Sequence, residues 1–154
     1  MKMERVEKKA FCVIGMEGST KDGEGFIQRL WERANSRYGE VAHLAKLGPA
    51  GAPVALWGAM TDFSRSFMPW EEGFTQGLYL AGVECVEDAV APDGWTKWEI
   101  PGYVYLRVEA DGANVFGDML AYLRSNNLSL VGAVHDTSDP VSGKNYMMFP
   151  IEKL

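Results

Sequence analysis

Apolar and polar residues alternate along this chain with two different periods, and the order of those periods is used twice. The run Phe11-Cys12-Val13-Ile14-Gly15-Met16 is strand-like. The stretch 25–41 then places Phe26, Ile27, Leu30, Trp31, Ala34, Tyr38 and Val41 at spacings of three and four, which makes one apolar helix face. Gln28, Arg29, Glu32, Arg33 and Arg37 fall mostly on the opposite side. Thr20, Asp22 and Gly23 offer cap or turn chemistry ahead of this helix, and Gly48-Pro49-Ala50-Gly51-Ala52-Pro53 breaks any continuation. Strands follow near Val54–Met60 and Tyr79–Val86. The order then recurs: a strand over Tyr103–Val108, a helix over Val115–Leu123, a strand over Leu130–His135 and a last strand over Tyr146–Ile151. In the second helix Val115, Phe116, Met119, Leu120 and Leu123 form the apolar side, with Asn114 as N-cap and Asn126-Asn127 as the stop. One-sided helices of this length need a sheet to cover. The pattern therefore predicts an α+β fold: tandem β-α-β-β modules with pseudo-twofold symmetry, an antiparallel sheet with both helices on one face, and a groove between the modules.

The strand faces locate candidate chemistry. Tyr103, Tyr105, Arg107 and Glu109 share one face of their strand, and Val104, Leu106 and Val108 the other. Leu80, Gly82, Glu84 and Val86 share a face, and Leu130, Gly132, Val134 and Asp136 repeat that arrangement in the second half. A carboxylate on an otherwise apolar or small surface is costly unless paired or hydrogen-bonded, so Glu84 and Asp136 are the sharpest functional pair, expected to meet in one groove. His135 precedes Asp136, but alternate strand residues face opposite ways, so the two are not expected to share a face; His43 has no nameable partner. The segment Thr61–Phe74 is a long excursion carrying Phe63, Phe67, Trp70 and Phe74 around Pro69. Loops of this kind often carry function. Glu87–Trp95 reads as a turn-rich connector inside one domain spanning 1–154, with modules at about 9–87 and 97–154.

Composition narrows the function classes. A chain of 154 residues with net charge −6 and no basic run is a poor nucleic-acid binder, because phosphate neutralisation supplies most of that affinity. No apolar run approaches membrane-spanning length, and nothing at the N-terminus resembles a signal peptide, so a cytoplasmic protein is expected. Cys12 and Cys85 lack metal-ligand spacing and read as small hydrophobes, reduced in that compartment. No glycine-rich phosphate loop precedes a helix, and Ser64, Ser66 and Ser138 lack a nucleophile-elbow context. No metal, cofactor or catalytic residue is assigned. The aromatic content is high, with five Trp, six Tyr and seven Phe. Trp31 reads as helix packing. Trp57, Trp70, Trp95 and Trp98 flank the expected groove, where flat rings can hold a planar or cationic molecule.

Three stretches carry a family resemblance: Gly77-Leu78-Tyr79-Leu80-Ala81-Gly82-Val83-Glu84, then Ala91-Pro92-Asp93-Gly94-Trp95, then Ile100-Pro101-Gly102-Tyr103-Val104-Tyr105. With the closing Phe149-Pro150-Ile151 and the doubled element order, they resemble the gyrase-inhibitor-like effector-binding domain over nearly the whole chain. The resemblance implies two β-α-β-β modules with a ligand site between them, taking bulky, apolar, often cationic molecules between aromatic rings beside an acid. Drug-sensing members belong to transcription regulators, some relatives hydrolyse cyclopropane-containing alkylating compounds, and a distant branch binds tetrapyrroles. The run Leu128–Asp136 matches the stretch of the family's pocket acid, which implies Asp136 at or near that position; members commonly have Glu there with Tyr two residues on, where this chain has Ser138. Tyr146 matches an aromatic position of the drug-sensing members.

The combined expectation is a groove lined by Trp57, Phe67, Trp70, Glu84, Trp95, Trp98, Tyr105, Asp136 and Tyr146 that binds an amphipathic, cationic small molecule. The protein then acts as a stand-alone sensor or sequestering protein, more readily a binder than an enzyme. Two alternatives remain open: hydrolysis of a reactive electrophile by Glu84, Asp136 and Tyr146, and an interaction module that buries the 61–74 aromatics against a protein partner or a second copy.

Overall fold

The computed structural model describes residues 2–112 and 114–154. Its elements in chain order are β1 (Met3–Lys8), β2 (Phe11–Ser19), α1 (Phe26–Ser36), β3 (Leu56–Thr61), the single turn α2 (Glu71–Phe74), β4 (Leu78–Cys85), β5 (Thr96–Ile100), β6 (Tyr103–Glu109), α3 (Val115–Ser125), β7 (His135–Ser138) and β8 (Asn145–Lys153). All neighbouring strands are antiparallel, in the order β1-β6-β8-β7-β3-β4-β2-β5. That order reads alike from both ends. Strands β2, β3 and β4 with α1 match β6, β7 and β8 with α3, and the two sets meet where β3 pairs with β7.

Several expectations shift. β1 was not anticipated, because its alternation of charged and apolar residues reads as a charged terminus. β5 lies at the predicted start of the second half but pairs with β2 of the first. α1 ends at Ser36, not at 41: Arg37 leaves helical geometry, and two 3-10 turns, Tyr38–Glu40 and Ala42–Leu44, carry the chain on while keeping Val41 fully buried. The second strand of the second half is His135–Ser138 instead of Leu130–His135. Residues 131–133 are held by irregular bonds, Val131 N–H to the Pro150 carbonyl and Ala133 N–H to the Phe67 carbonyl.

The outermost strands impose curvature. β1 and β5 lie at opposite ends of the strand order, yet two residues join β1 to β2 and two join β5 to β6. The sheet must curl until its ends approach. At the crossing, a Cβ on Gly102 would lie 3.1 Å from the Ala10 nitrogen and 3.3 Å from the Lys8 carbonyl, so the glycine lets the two connections pass closely.

The curl sorts the interior into three cores. Inside it, Val13, Trp57, Leu80, Trp98, Ile100, Tyr103, Tyr105 and Met148 pack together from six strands. On the outer face, Ile14, Met16, Tyr79, Ala81 and Val83 meet Leu30 and Ala34 of α1, and Leu106, Val108 and Phe149 meet Val115, Met119 and Leu123 of α3. Each fully buried Leu or Val contributes about 1.5–3 kcal/mol relative to exposure. Among the described residues, no helix is long and apolar enough to cross a membrane.

Candidate functional site

Strand register decides which residues can share a site. The cross-strand row Met16–Ala81–Gly58–Asp136–Met147–Val108–Met3 runs across the outer face. Asp136 stands in that row on β7, at the seam between the halves and between the two helices. Val13 and Glu84 are direct partners on the inner face, where Trp57, paired with Gly82, also points. The sheet therefore separates Glu84 and Asp136, and the expectation of one shared groove is corrected. The two were equated through the wrong strands: Glu84 lies on β4, whose counterpart is β8, whereas Asp136 lies on β7, the counterpart of β3.

The outer groove has two arms that meet at Asp136. One is a cavity of about 520 Å³ bounded by Trp31 and Asn35 of α1, Leu56, Gly58, Tyr79, Asp136, Ser138 and Tyr146. The other is an apolar cavity of about 220 Å³ bounded by Met60, Pro69, Trp70, Phe74, Phe116, Val134, Asp136 and Met147. A Cβ on Gly58 would lie 2.1 Å from the Tyr79 hydroxyl oxygen; glycine leaves the space that the phenol fills. Trp31 Nε1–H donates to that hydroxyl at 2.9 Å, which fixes both rings on one wall. Phe74 crosses from the 61–74 loop to α3 and meets Phe116 edge-on, with ring centroids 5.2 Å apart. Trp70 is anchored by donating Nε1–H to the Leu78 carbonyl at 2.9 Å.

The electrostatics of this groove are one-sided. Among the described residues, no hydrogen bond or ion pair engages the Asp136 carboxylate, and burial pushes its pKa up to about 6. Burial also raises Tyr79 to about 12, with the nearby Asp136 charge adding to the rise. The groove thus presents one uncompensated acid among aromatic walls.

Inner-face groups are satisfied differently. Glu84 is 2% exposed and accepts from Trp57 Nε1–H at 3.0 Å and from Lys8 at 3.2 Å. His135 Nδ1 accepts from the Met60 N–H at 3.0 Å, and burial lowers its pKa to about 3, so the ring is neutral. Trp98 Nε1–H donates to Glu17 at 2.7 Å, and Arg65 clamps the same carboxylate with two bonds of 2.7 Å. On the outer face, Cys12 and Cys85 are buried and directly opposed, and burial raises the Cys85 thiol to about 12. Among the described residues, no group of His, Cys, Asp and Glu is arranged to hold a metal ion.

Solved structures share this fold over almost the full chain. The C-terminal domain of EcmrR aligns with a TM-score of 0.66 at 14% identity, covering 99% of this chain and 98% of that one. Here the fold is that of the gyrase-inhibitor-like domains. SAV2435 bound to tetraphenylphosphonium aligns with a TM-score of 0.64 at 13% identity, covering 99% of this chain and 94% of that one. EcmrR in its DNA complex aligns with a TM-score of 0.65 at 13% identity; 99% of this chain is covered, and it spans 58% of that longer chain. No family model matches the sequence, and no curated protein matches it.

Within this gyrase-inhibitor-like fold the nine candidate residues divide. Trp70, Asp136 and Tyr146 border the outer groove, although the Tyr146 ring lies against the Arg107 guanidinium at 4.3 Å. Trp57, Phe67, Glu84, Trp98 and Tyr105 belong to the inner face, where Phe67 meets Trp98 edge-on at 5.9 Å and Tyr105 is fully buried. Trp95 packs near α1 and donates to Glu40 at 3.1 Å. Glu84, Asp136 and Tyr146 do not converge, so the three groups weighed for hydrolysis share no substrate position. The 61–74 aromatics turn against their own fold: Phe63 lies under Lys21 at 4.6 Å, and Phe67, Trp70 and Phe74 have the contacts given above. Sequence reasoning missed Trp31, Tyr79, Phe74 and Phe116 as groove walls. Trp31, Tyr79 and Phe116 have ordinary core spacing, and Phe74 was legible only as one aromatic of the 61–74 loop; Trp31 and Asn35, four apart on α1, share a surface of that helix.

Proposed function

We propose that this protein binds a bulky, amphipathic organic cation in the outer groove, with Asp136 as its counter-ion and Trp31, Tyr79, Trp70, Phe74 and Phe116 as its aromatic walls. The observation that carries this reading is the Asp136 carboxylate: it is largely enclosed, unpartnered among the described residues, and set where two cavities meet. A delocalised cation gains from such a site because its charge compensates a buried anion while its apolar body covers aromatic surface. The likeness to SAV2435, solved with tetraphenylphosphonium, supports the choice of ligand class. The protein then serves as a sensor or sequestering module for such compounds.

The test is a titration with tetraphenylphosphonium, followed by the fluorescence of Trp31 and Trp70, beside neutral triphenylphosphine oxide. Asp136→Asn should weaken the cation about tenfold or more, equivalent to roughly 1.4 kcal/mol, and leave the neutral compound unaffected. Absence of saturable binding, or equal loss for both compounds, refutes the proposal.

A further inference from the structure

The inner face contains a second pairing of a buried acid with aromatic rings, and the chain fills it with its own cation. Lys8 Nζ lies 3.2 Å from Glu84 Oε2, 4.4 Å from the centre of the Phe11 ring and 5.7 Å from that of Trp57. The two rings are tilted 40° to each other with centroids 4.7 Å apart. Trp57 donates to the other carboxylate oxygen, so Glu84 keeps one oxygen for a cationic donor. Lys8 ends the edge strand β1, and 28% of its side chain is exposed, so its ammonium can exchange with solvent without unpacking the sheet.

Two cavities border Glu84. One, of about 350 Å³, sets Lys8, Lys46 and Arg107 against Glu7 and Glu84 in its lining, so its cations outnumber its acids. The other, of about 490 Å³, sets Glu84, Glu87 and Glu99 beside Phe11 against Lys46, and Lys97 beside Glu99 at 3.8 Å offsets only part of the remaining negative charge. A cation therefore approaches along the Phe11 side.

We propose that Phe11, Trp57 and Glu84 form a binding site for a primary alkylammonium ion, which displaces the Lys8 side chain that otherwise occupies it. The head group must carry an N–H because Glu84 Oε2 accepts a hydrogen bond from it, which a quaternary ion cannot donate, and a primary ammonium matches the Lys8 group it replaces. It must replace Lys8 and not join it, because one buried carboxylate compensates one charge. The tether gives Lys8 an effective concentration in the millimolar range, which sets the concentration a free amine must exceed. This site lies on the opposite face of the sheet from Asp136 and does not depend on the outer groove.

The experiment is chemical rescue. Lys8→Ala should melt lower than the wild type, and butylammonium should restore the melting temperature saturably, at a concentration at least tenfold below that needed to perturb the wild type. Tetramethylammonium and sodium at equal ionic strength should not restore it, and Lys8→Ala with Glu84→Gln should not respond. A melt indifferent to butylammonium, or moved equally by tetramethylammonium, overturns the proposal, as does rescue that survives loss of the carboxylate. If Lys8→Ala fails to fold, the wild type carries the test through the indole Nε1–H resonance of Trp57. That signal should shift with high butylammonium and not with tetramethylammonium; no shift overturns the proposal.

Discussion

Asp136→Asn probes the outer groove through the titration of its acid. Burial raises this carboxylate from 3.8 to about 6, and among the described residues nothing compensates it. Native Asp136 thus keeps its proton across a window in which the unfolded chain has released it. Between about pH 3.8 and 6 the native state binds more protons, so stability falls as pH rises through that window and stays reduced above it. At 1.36 kcal/mol per pH unit, the difference corresponds to about 3 kcal/mol. Partial solvent access to the side chain reduces this to roughly 1–2 kcal/mol. A chain of this size shifts by about 2–4 °C per kcal/mol. Relative to the wild type, Asp136→Asn should therefore gain roughly 2–8 °C in Tm between pH 4 and pH 8, read by circular dichroism melts. His135 works in the opposite sense. Its pKa is lowered from 6.5 to about 3, so both proteins lose stability as pH falls from 6.5, and subtracting the two profiles removes that contribution. Parallel profiles for variant and wild type would refute the claim that Asp136 is held charged at a cost. The same titration predicts that affinity for tetraphenylphosphonium declines as pH drops below about 6.

Three further substitutions test the packing around both faces. Gly58→Ala puts a Cβ 2.1 Å from the Tyr79 oxygen, so the phenol must swing and release Trp31; a loss of about 1–3 kcal/mol in urea denaturation is expected, and unchanged stability would contradict the geometry. Trp57→Phe removes the indole donor to buried Glu84 and should cost about 1.5–3 kcal/mol by the same assay, with no loss meaning that the bond contributes nothing. Tyr105→Phe deletes a buried hydroxyl that has no hydrogen-bond partner among the described residues; the variant should be as stable as the wild type or about 1 kcal/mol more stable, and a clear loss would reveal a partner for that oxygen.

Local pattern determined the elements and their doubled order, because period-two and period-3.6 alternation reflects which side of an element meets the core. The α+β class, the antiparallel sheet and the placement of both helices on one face follow from that alternation alone. β1 escaped the reading because its charged, half-exposed residues look like a terminus, and β5 because its buried Trp98 and Ile100 alternate with polar residues over only five positions beside a turn. The opposition of His135 and Asp136 across β7 was legible, since adjacent strand residues always diverge. The relation of Glu84 to Asp136 was not, because facing depends on which strand pairs with which and in what register, and a shift of one residue reverses every side chain. Only the tertiary structure placed Glu84 in an ion pair on the inner face and Asp136 alone in the outer groove. Likewise, Trp31, Tyr79 and Phe116 have the spacing of core residues and Phe74 belongs to a loop; they become groove walls because two helices that are distant in sequence stand over one seam, with a glycine at 58 to leave room for Tyr79. The chain by itself specified what each residue prefers to touch, and the curl of the sheet decided which of those preferences were met by protein and which were left open in the groove.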